Sequence, residues 1–498
     1  MKFEELLSLV SSGGAPHLCA DSRIVKKGDV FIAVKGTAYN GHKFIDRAIA
    51  GGAKYIVCEE PYCSDVADVI MVDDSAQAAG ILAQAVRGNP ASKLINLAVT
   101  GTNGKTTVAF LVRSIVQAAG QKCGLVGTVV YDTGAGSFES SLTTPDCFAV
   151  AEMTEQMVNA GAKYLAIEAS SHALSQDRLA GVDFRAAAFT NLTGDHLDYH
   201  KTEKDYLAAK ARLFEGLSGN ATAVLNSQSP HSRELAEKTI AKILWYTVVD
   251  STGPSTLLGT VSTSNRLSQD EPADITAHIE SMDMNGTAFV LEYAGQKQEV
   301  KMHLLGRHNA SNSLAAAGLC LAAGFDLKTI AAGLAAVKNV PGRLEKIDWA
   351  GDFSVLVDYA HTDDALKNVL STLAPLCKGR LIVVFGCGGD RDRTKRPRMA
   401  KVTEQFADLI FVTSDNPRSE QPEFIIGEIM AGFENPAAEK ISVESDRKKA
   451  IELALKTARR GDIVLIAGKG HETYQIIGKQ KFDFSDKAVA LEFLKKRK

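Results

Sequence analysis

A glycine-rich loop with the sequence GTNGKTT begins at Gly101 and has the residue types of a phosphate-binding site. Its two glycines allow a tight turn that brings backbone N–H groups close to phosphate oxygens. Lys105 would pair with the β- and γ-phosphates, and the hydroxyl of Thr106 is suited to Mg²⁺. Val99 stands where the general P-loop pattern places its first glycine, so this loop is a shortened form. We therefore predict an ATP site with Mg²⁺ as cofactor.

Three further polar residues, Glu168, His196 and Lys210, are candidates for the same site. Glu168 ends the predicted strand YLAIE, at the sheet edge where parallel sheets bind ligands, although an exposed strand-end glutamate is the simpler alternative. The run NLTGDHLDYH is dense in Asp and His, but no HExxH helix accompanies it, which favours Mg²⁺ over zinc. Asp195 in this run is a candidate helix cap. From its amphipathic helix alone, Lys210 is most simply a solvated lysine on the polar face.

Three charged runs follow predicted strands in the last third of the chain. GCGGDRDRTKRP begins at Gly386, SDNPRSE at Ser414 and AGKGHE at Ala467. Arg391 and Arg418 could hold a carboxylate through bidentate hydrogen bonds. Each run alone could be a solvated loop, but three of them at the strand ends of one sheet indicate a binding site.

The elements that must position these residues alternate between short β-rich runs and helical stretches. This alternation predicts an α/β fold with parallel sheets covered on both faces. Punctuation by Gly and Pro near residues 88–90 and 341–342 predicts three domains, at 1–90, 91–338 and 339–498. Residues 250–271, rich in Ser and Thr, are predicted as a loop. The predicted strands are 30–34, 55–58, 69–72, 94–100, 164–168, 186–190, 223–226, 353–357, 381–385, 409–413 and 463–467, and the predicted helices include 42–50, 75–86, 106–119 and 310–323.

The amino-acid composition limits the kinds of binding partner and the cellular compartment that can be expected for this protein. The chain has 498 residues, 45% of them hydrophobic and 23% charged, which is typical of a globular protein of two to four domains. A net charge of -3 gives no electrostatic reason to expect nucleic acid or a membrane surface as partner. There is no apolar stretch of membrane-spanning length, no visible export signal, and no CxxC pair among the eight cysteines. We expect a cytoplasmic enzyme with reduced thiols that acts on small molecules.

The ordered motifs resemble those of the Mur ligases, the cytoplasmic enzymes that build the stem peptide of peptidoglycan. The resemblance covers nearly the whole chain. It rests on GTNGKTT, EASSH, TNLTGDHLDYH, AAKARLF, GRHNASNSLAA, VPGRLE, DYAHTDDAL, GCGGDRDRTKRP, DNPR and AGKGHE. It implies an N-terminal UDP-substrate-binding domain, a central P-loop-type mononucleotide-binding α/β domain for ATP, and a C-terminal Rossmann-like α/β domain for the incoming amino acid. The run DNPR resembles the subgroup that adds meso-diaminopimelate.

The resemblance also implies a role for each matching residue. ATP binding is implied for Gly101, Thr102, Asn103, Gly104, Lys105, Thr106, Thr107, Asn309, Arg343, Asp358 and His361. Contacts with the UDP-muramoyl-dipeptide are implied for Ser22, the loop 37–39, Thr143, Thr144, Ser170, Gln176 and Arg178. Contacts with diaminopimelate are implied for Arg391, Asp415, Asn416, Pro417, Arg418, Gly468 and Glu472. Catalysis is implied for Lys105, Glu168, His196 and Lys210, with Lys210 carbamylated so that it binds Mg²⁺ together with Thr106, Glu168 and His196.

The implied reaction forms an acyl phosphate from ATP and the D-glutamate side chain, which the amine of the third amino acid then attacks. Diaminopimelate carries a distal carboxylate that lysine lacks, so a cation at the end of the pocket would select it. Arg418 would be that cation, and Glu472 would pair with the distal ammonium. The alternatives are a lysine-adding or other Mur ligase, a folylpolyglutamate synthetase, or, in a different class, a regulatory switch that hydrolyses ATP. We expect a monomer.

Overall fold

The structure, a computed structural model, describes residues 1–12, 16–36, 39–194, 197–250 and 273–497. The candidate metal ligand His196, the candidate cap Asp195 and the first two residues of the loop 37–39 lie outside these ranges, as does almost all of the predicted loop 250–271.

The N-terminal part is built on a four-stranded parallel sheet with the strand order β1-β2-β3-β4. Its strands are β1 (Leu18–Cys19), β2 (Val30–Ile32), β3 (Tyr55–Cys58) and β4 (Asp68–Met71), and its helices are α1 (Phe3–Ser11), α2 (Ile45–Ala50) and α3 (Ser75–Ala85). Asp74 begins α3 because its side chain accepts hydrogen bonds from two backbone N–H groups of the first turn. The strands predicted in this part are confirmed to within about two residues.

The central part contains an eleven-stranded sheet with the order β15-β14-β13-β12-β11-β10-β5-β9-β6-β7-β8. Its strands are β5 (Ile95–Thr100), β6 (Cys123–Val126), β7 (Val130–Asp132), β8 (Ser137–Glu139), β9 (Tyr164–Glu168), β10 (Ala186–Phe189), β11 (Thr222–Asn226), β12 (Lys242–Asp250), β13 (Ile275–Asp283), β14 (Gly286–Tyr293) and β15 (Gln296–Met302). Its helices are α4 (Lys105–Ala118), α5 (Cys147–Asn159), α6 (Ser171–Ser175), α7 (Leu197–His200), α8 (Glu203–Glu215), α9 (Ser232–Glu237), α10 (Arg307–Ala322) and α11 (Leu327–Ala336). Separate apolar cores lie on its two faces.

Both edges of this sheet are antiparallel, which corrects the prediction of purely parallel strands. β13, β14 and β15 pair antiparallel at one edge, and β6, β7 and β8 at the other. The connection between β14 and β15 has only two residues, Ala294 and Gly295, both with positive φ. Such a turn joins adjacent antiparallel strands, whereas a parallel crossover needs a much longer connection.

The C-terminal part has a six-stranded sheet in the order β16-β17-β21-β18-β19-β20, which is parallel except for β16. Its strands are β16 (Glu345–Lys346), β17 (Ser354–Asp358), β18 (Leu381–Phe385), β19 (Leu409–Val412), β20 (Ile441–Val443) and β21 (Ile463–Ala467), followed by the hairpin β22 (Tyr474–Ile477) and β23 (Gln480–Asp483). Its helices are α12 (Asp363–Leu373), α13 (Lys395–Phe406), α14 (Pro422–Met430), α15 (Arg447–Thr457) and α16 (Asp486–Lys496).

The α/β fold class is confirmed, and the parallel strands of the two larger sheets place the candidate motifs at their carboxyl ends. The phosphate loop follows β5, and the three C-terminal runs follow β18, β19 and β21. Ligands of open parallel sheets bind at this edge. In the described ranges, no helix has the length and apolar character that a bilayer crossing requires.

Candidate active site

The phosphate loop joins β5 to α4 through two glycines in the left-handed region. Gly101 has φ 145° and Gly104 has φ 91°. A Cβ at Gly104 would lie only 2.2 Å from Oδ1 of Asn312, so no larger residue fits without displacing that side chain. The first turn of α4 presents its N–H groups and its dipole to the space beside the loop, which is an arrangement that binds phosphate.

Two lysine ammonium groups meet at the carbonyl oxygen of Gly101. Nζ of Lys105 donates to it across 2.8 Å, and Nζ of Lys210 donates to it across 2.9 Å. Lys210 is 1% exposed, and its ammonium lies 4.2 Å from the ring centroid of Tyr206. The interpretation of Lys210 as a solvated lysine is therefore wrong, because α8 turns this residue toward the phosphate loop rather than toward water.

Glu168 is a buried carboxylate that accepts three hydrogen bonds. The backbone N–H of Thr128 donates to Oε1 across 2.8 Å, and the Thr128 hydroxyl donates to Oε2 across 3.0 Å. The hydroxyl of Thr106 donates to Oε2 across 3.1 Å. The alternative of an exposed strand-end glutamate is wrong, since Glu168 is 1% exposed. Thr106 and Glu168 thus offer adjacent oxygens of the kind that Mg²⁺ takes as ligands.

These oxygens fit Mg²⁺ better than zinc. Among the described residues, no group of three or more His, Cys, Asp or Glu side chains could hold a metal ion. A hard cation that keeps several waters needs only one or two protein oxygens. Lys210 as a free amine is not an oxygen ligand, so its place in this set depends on carbamylation.

The C-terminal part closes over the phosphate loop through two polar contacts. Nη2 of Arg343 donates to the Thr106 hydroxyl across 3.1 Å, and Nδ2 of Asn103 donates to Asp364 across 3.0 Å. A cleft of about 260 Å³ lies between the two parts. Of the residues predicted to bind ATP, its lining includes Thr102, Asn103, Gly104, Lys105, Thr106, Thr107, Asn309, Arg343, Asp358 and His361.

Two of these residues shape the cleft through the backbone. Both carboxylate oxygens of Asp358 accept backbone N–H groups, from Leu344 and Ala360, and burial raises the pKa of Asp358 while Arg343 opposes that rise. Nδ2 of Asn309 donates to the carbonyl of Leu305. The side chains of Asp358 and Asn309 therefore fix the backbone that surrounds the cleft.

A larger cavity of about 1040 Å³ shares Thr128 and Thr143 with the first cleft. Its lining includes four of the residues predicted to bind the UDP substrate, namely Thr143, Thr144, Ser170 and Arg178. Gln176 lies outside this lining. It accepts a hydrogen bond across 2.8 Å from Arg178, and it thereby orients a side chain that does line the cavity. Ser22 lies in the turn after β1, also outside the lining of this cavity.

A third cleft, of about 340 Å³, lies between the loops that follow β18, β19 and β21. The predicted amino-acid contacts in its lining are Arg391, Asp415, Asn416, Arg418, Gly468 and Glu472. Arg418 has φ 51° and donates from Nη1 to the carbonyl of Gly389 across 2.8 Å. Pro417 lies outside the lining. If Gly389 were replaced by a larger residue, the new Cβ would lie only 1.9 Å from the carbonyl oxygen of Pro417. This contact keeps position 389 small.

Thr128 and Tyr359 in the cleft linings, and Lys469 behind them, were not predicted as site residues from the sequence. Tyr359 lines all three cavities, and burial raises the pKa of its phenol well above the ordinary value. Lys469 is fully buried beneath the amino-acid cleft. Tyr359 lies within DYAHTDDAL and Lys469 within AGKGHE, so both belong to motifs that the sequence analysis used, whereas Thr128 lies in none of these motifs.

Three family models match consecutive stretches of the chain. They are described as the Mur ligase family catalytic domain, at residues 17–92, the Mur ligase middle domain, at 99–320, and the Mur ligase glutamate ligase domain, at 342–470. Together they account for most of the chain, in the order in which the three sheets occur.

Individual relatives match over nearly full length. The chain is 43% identical to UDP-N-acetylmuramoyl-L-alanyl-D-glutamate–2,6-diaminopimelate ligase of Geobacillus kaustophilus (strain HTA426), over 98% of this chain and 97% of the relative. A solved structure of a ligase of the same name is similar with TM-score 0.66 and 32% identity, covering 97% of this chain and 95% of that one. MurF ligase from Thermotoga maritima in complex with ADP shares the fold, with TM-score 0.59 and 19% identity, covering 99% of this chain and 100% of that one.

Proposed function

This chain belongs to the Mur ligase family, and on that basis we propose that it joins meso-2,6-diaminopimelate to the D-glutamate of UDP-N-acetylmuramoyl-L-alanyl-D-glutamate at the expense of ATP. The reaction belongs to the synthesis of peptidoglycan precursors. The reactants are small molecules, and we propose that the enzyme acts as a monomer in the cytoplasm.

The observation that carries this proposal is the meeting of three clefts at Tyr359. This residue lines the cleft of about 260 Å³, called the nucleotide cleft, and the cleft of about 340 Å³, called the amino-acid cleft. It also lines the larger cavity of about 1040 Å³. A ligase that joins two substrates with ATP needs such a junction, because the acyl carboxylate must reach first the γ-phosphate and then the incoming amine. An ATP-hydrolysing switch has no need of the two additional clefts.

In the first chemical step, an oxygen of the D-glutamate side-chain carboxylate attacks the γ-phosphorus of ATP and ADP leaves, giving an acyl phosphate. In the second, the neutral amine of diaminopimelate attacks the acyl carbon, and the tetrahedral intermediate expels phosphate while the nitrogen loses a proton. The enzyme contributes chiefly alignment and charge neutralisation. Lys105, Arg343 and the first residues of α4 line the nucleotide cleft, where we expect them to stabilise the charge of the transferring phosphoryl group.

Mg²⁺ is proposed at the oxygens of Thr106 and Glu168, with His196 as a further ligand, and its positive charge would offset that of the phosphates. Lys210 is proposed to be carbamylated: its neutral amine adds to CO₂, a proton is released, and the resulting carboxylate is an oxygen ligand. The position of Nζ supports this proposal, because the group is buried beside the phosphate loop and shares a carbonyl with Lys105.

The charges of the amino-acid cleft suit a ligand with both a carboxylate and an ammonium at its far end. The cleft lining contains four basic residues, Arg391, Lys395, Arg398 and Arg418, and four acidic residues, Asp363, Asp392, Asp415 and Glu472. Arg418 is proposed to bind the distal carboxylate and Glu472 the distal ammonium. L-Lysine would satisfy only the acidic partner and leave Arg418 without an anion.

Phosphate release in a coupled assay tests this function. We expect release that needs the UDP-dipeptide and diaminopimelate together, and much slower release when L-lysine replaces diaminopimelate. Phosphate release with ATP alone would favour the switch, and equal rates with lysine would refute the substrate assignment. Positional isotope exchange in ATP, with the UDP-dipeptide but without diaminopimelate, should reveal the acyl phosphate.

A further inference from the structure

A lysine that is hidden from solvent contacts three residues that line the amino-acid cleft. The side chain of Lys469 is 0% exposed, yet it carries a charge in the middle of the loop that follows β21. Its Nζ lies 2.8 Å from Oε2 of Glu472, 3.1 Å from Oδ1 of Asn416 and 3.6 Å from Oδ1 of Asp415. A buried cation is tolerated only when it is paired and hydrogen-bonded, and these three residues supply the partners.

Lys469 and Asn416 together occupy one oxygen of Glu472. Nδ2 of Asn416 donates to Oε2 across 2.9 Å, and Nζ of Lys469 donates to the same atom. The side-chain oxygen of Asn416 is itself held by Lys469 and by the backbone N–H of Ile476. Within the described part of the chain, the hydrogen bonds that the Glu472 carboxylate accepts both go to Oε2 rather than to Oε1. The second oxygen is thus left for a ligand.

The lysine also balances charge behind the cleft. Asp415 and Glu472 come from different strand ends, and Lys469 contacts both carboxylates directly. The buried guanidinium of Arg447 also interacts electrostatically with both, but its ion pair is with Asp486. Without Lys469, the two carboxylates would lose the cation that contacts both of them. Like charges repel in a partly buried site, and one of the two then takes up a proton more readily. A protonated or rotated Glu472 would no longer present a fixed anion to an ammonium group.

We propose that Lys469 is a positioning residue of the amino-acid cleft, which holds Glu472 in the orientation and charge state that bind the distal ammonium of the incoming amino acid. This inference rests on the proposed function and assigns a residue to it. Lys469 acts through Glu472 and Asn416 and does not touch the ligand itself.

The test compares steady-state kinetics of the wild type with Lys469→Met and Lys469→Gln, in the presence of saturating ATP and UDP-dipeptide. Loss of a buried charged partner predicts a KM for diaminopimelate that is about 10- to 100-fold higher in Lys469→Met. The KM for ATP should stay close to that of the wild type. Lys469→Gln keeps a hydrogen-bonding group without the charge and should lie between the two.

A double-mutant cycle separates this role from general damage. In a Glu472→Gln background, adding Lys469→Met should raise the KM for diaminopimelate little further, because the carboxylate that the lysine positions is already gone. Arg380→Met is the matched control. It breaks an ion pair with Asp462 at the opposite, amino-terminal edge of the same sheet, and it should leave this KM unchanged.

Several outcomes would overturn the role of Lys469. They are an unchanged KM in Lys469→Met, equal rises in the KM of all three substrates, full additivity with Glu472→Gln, or failure of both Lys469 variants to fold. If the wild type itself used another amino acid in place of diaminopimelate, the proposed substrate would be wrong, and the same comparison would be made with that amino acid.

Discussion

Arg343 donates a hydrogen bond from Nη2 to the hydroxyl of Thr106, across 3.1 Å. The first residue precedes the C-terminal sheet and the second begins the helix of the phosphate loop, 237 positions away in the chain. The guanidinium also lies over the ring of Tyr359, 4.7 Å from its centroid, and its Nε is buried without a hydrogen-bond partner. The Arg343 guanidinium is thus held beside the phosphate loop with its Nε–H group available to donate a hydrogen bond.

Arg343→Ala should therefore lower kcat more than it raises the KM for ATP. The guanidinium can stabilise charge that develops during phosphoryl transfer, and loss of one such group typically costs about 100-fold in kcat. Steady-state kinetics with varied ATP measures both quantities. Arg185→Ala is the control, because the bonds of this side chain to other described residues go to the backbone carbonyls of Asn220 and Ala322. An unchanged kcat would remove Arg343 from the transition state.

Thr128→Val tests the support of the proposed Mg²⁺ ligand Glu168. Valine keeps the β-branched shape and the backbone N–H, but it removes the hydroxyl that donates to Oε2. Residues that orient a metal ligand typically contribute about 10- to 100-fold in metal affinity. We expect the Mg²⁺ concentration at half-maximal activity to rise accordingly.

The control for this substitution is Thr276→Val, which removes a hydroxyl on β13 that contacts His278. It should leave the Mg²⁺ dependence unchanged. If Thr128→Val also had no effect, the bond from the Thr128 hydroxyl would play no part in binding Mg²⁺, and the backbone N–H would suffice to orient Glu168.

His308, in the lining of the nucleotide cleft, should make the protein less stable in mild acid. Burial lowers the pKa of His308 to about 4, below its ordinary value of 6.5. Protonation then favours the unfolded chain, so stability is complete above pH 6.5 and is lost as the pH falls from 6.5 toward 4. One such group contributes up to about 3 kcal/mol over that window.

Thermal unfolding of the wild type and of His308→Gln between pH 7 and pH 4.5 measures this effect. The unfolding temperature of His308→Gln should fall less than that of the wild type as the pH is lowered, because the variant has no imidazole at this position to protonate. His17→Gln, at a side chain that is 61% exposed, should follow the wild type. Parallel pH profiles for the wild type and His308→Gln would show that His308 does not titrate as its burial implies.

The parallel strands were predictable because they are short, continuous apolar runs bounded by turn residues. β9 and β18 were predicted with their observed bounds. The strand β15 was not, because QKQEVKM is mostly polar, and only its pairing with β14 makes it a strand. Pairing depends on partners elsewhere in the chain, which local periodicity does not contain.

For the site, residue type and strand position predicted Glu168 and Arg418, but not the residues that orient them. Thr128 meets Glu168 because β6 pairs beside β9 and the loop after β6 then reaches the carboxylate. Lys469 has a residue type that is normally solvated, so only the packing of three loops shows that it is buried. Such relationships belong to tertiary structure, and a single sequence does not display them.

Lys210→Ala tests the proposed carbamate. Removal of the side chain should lower activity by at least about 100-fold, since the carbamate oxygen that would bind Mg²⁺ beside the transferring phosphoryl group would be lost. Formate or acetate should restore part of the activity by supplying a small carboxylate in the space left by the lysine. Lys204→Ala, at an exposed position of the same helix α8, should behave as the wild type with and without these anions. A fully active Lys210→Ala enzyme would eliminate the carbamate.

Arg418→Ala tests how the enzyme chooses its amino acid. Arg418 already donates from Nη1 to Gly389, and this bond aims the guanidinium while its other N–H groups remain for a carboxylate. A charge-assisted bond of this kind is worth about 2–3 kcal/mol, so the KM for diaminopimelate should rise about 30- to 150-fold. The KM for ATP should change little, because Arg418 lies outside the lining of the nucleotide cleft.

Turnover of L-lysine by Arg418→Ala distinguishes a loss of selectivity from a loss of the folded structure. It has no distal carboxylate, so the already slow turnover of L-lysine should be much less affected by Arg418→Ala than the turnover of diaminopimelate. Arg393→Ala is the matched control, because this arginine is 65% exposed, pairs with Glu428 and lies outside the lining of the amino-acid cleft. If Arg418→Ala lowered the turnover of both amino acids equally, the guanidinium would support the shape of the cleft without binding the distal carboxylate. The selectivity for diaminopimelate would then have to come from Arg391.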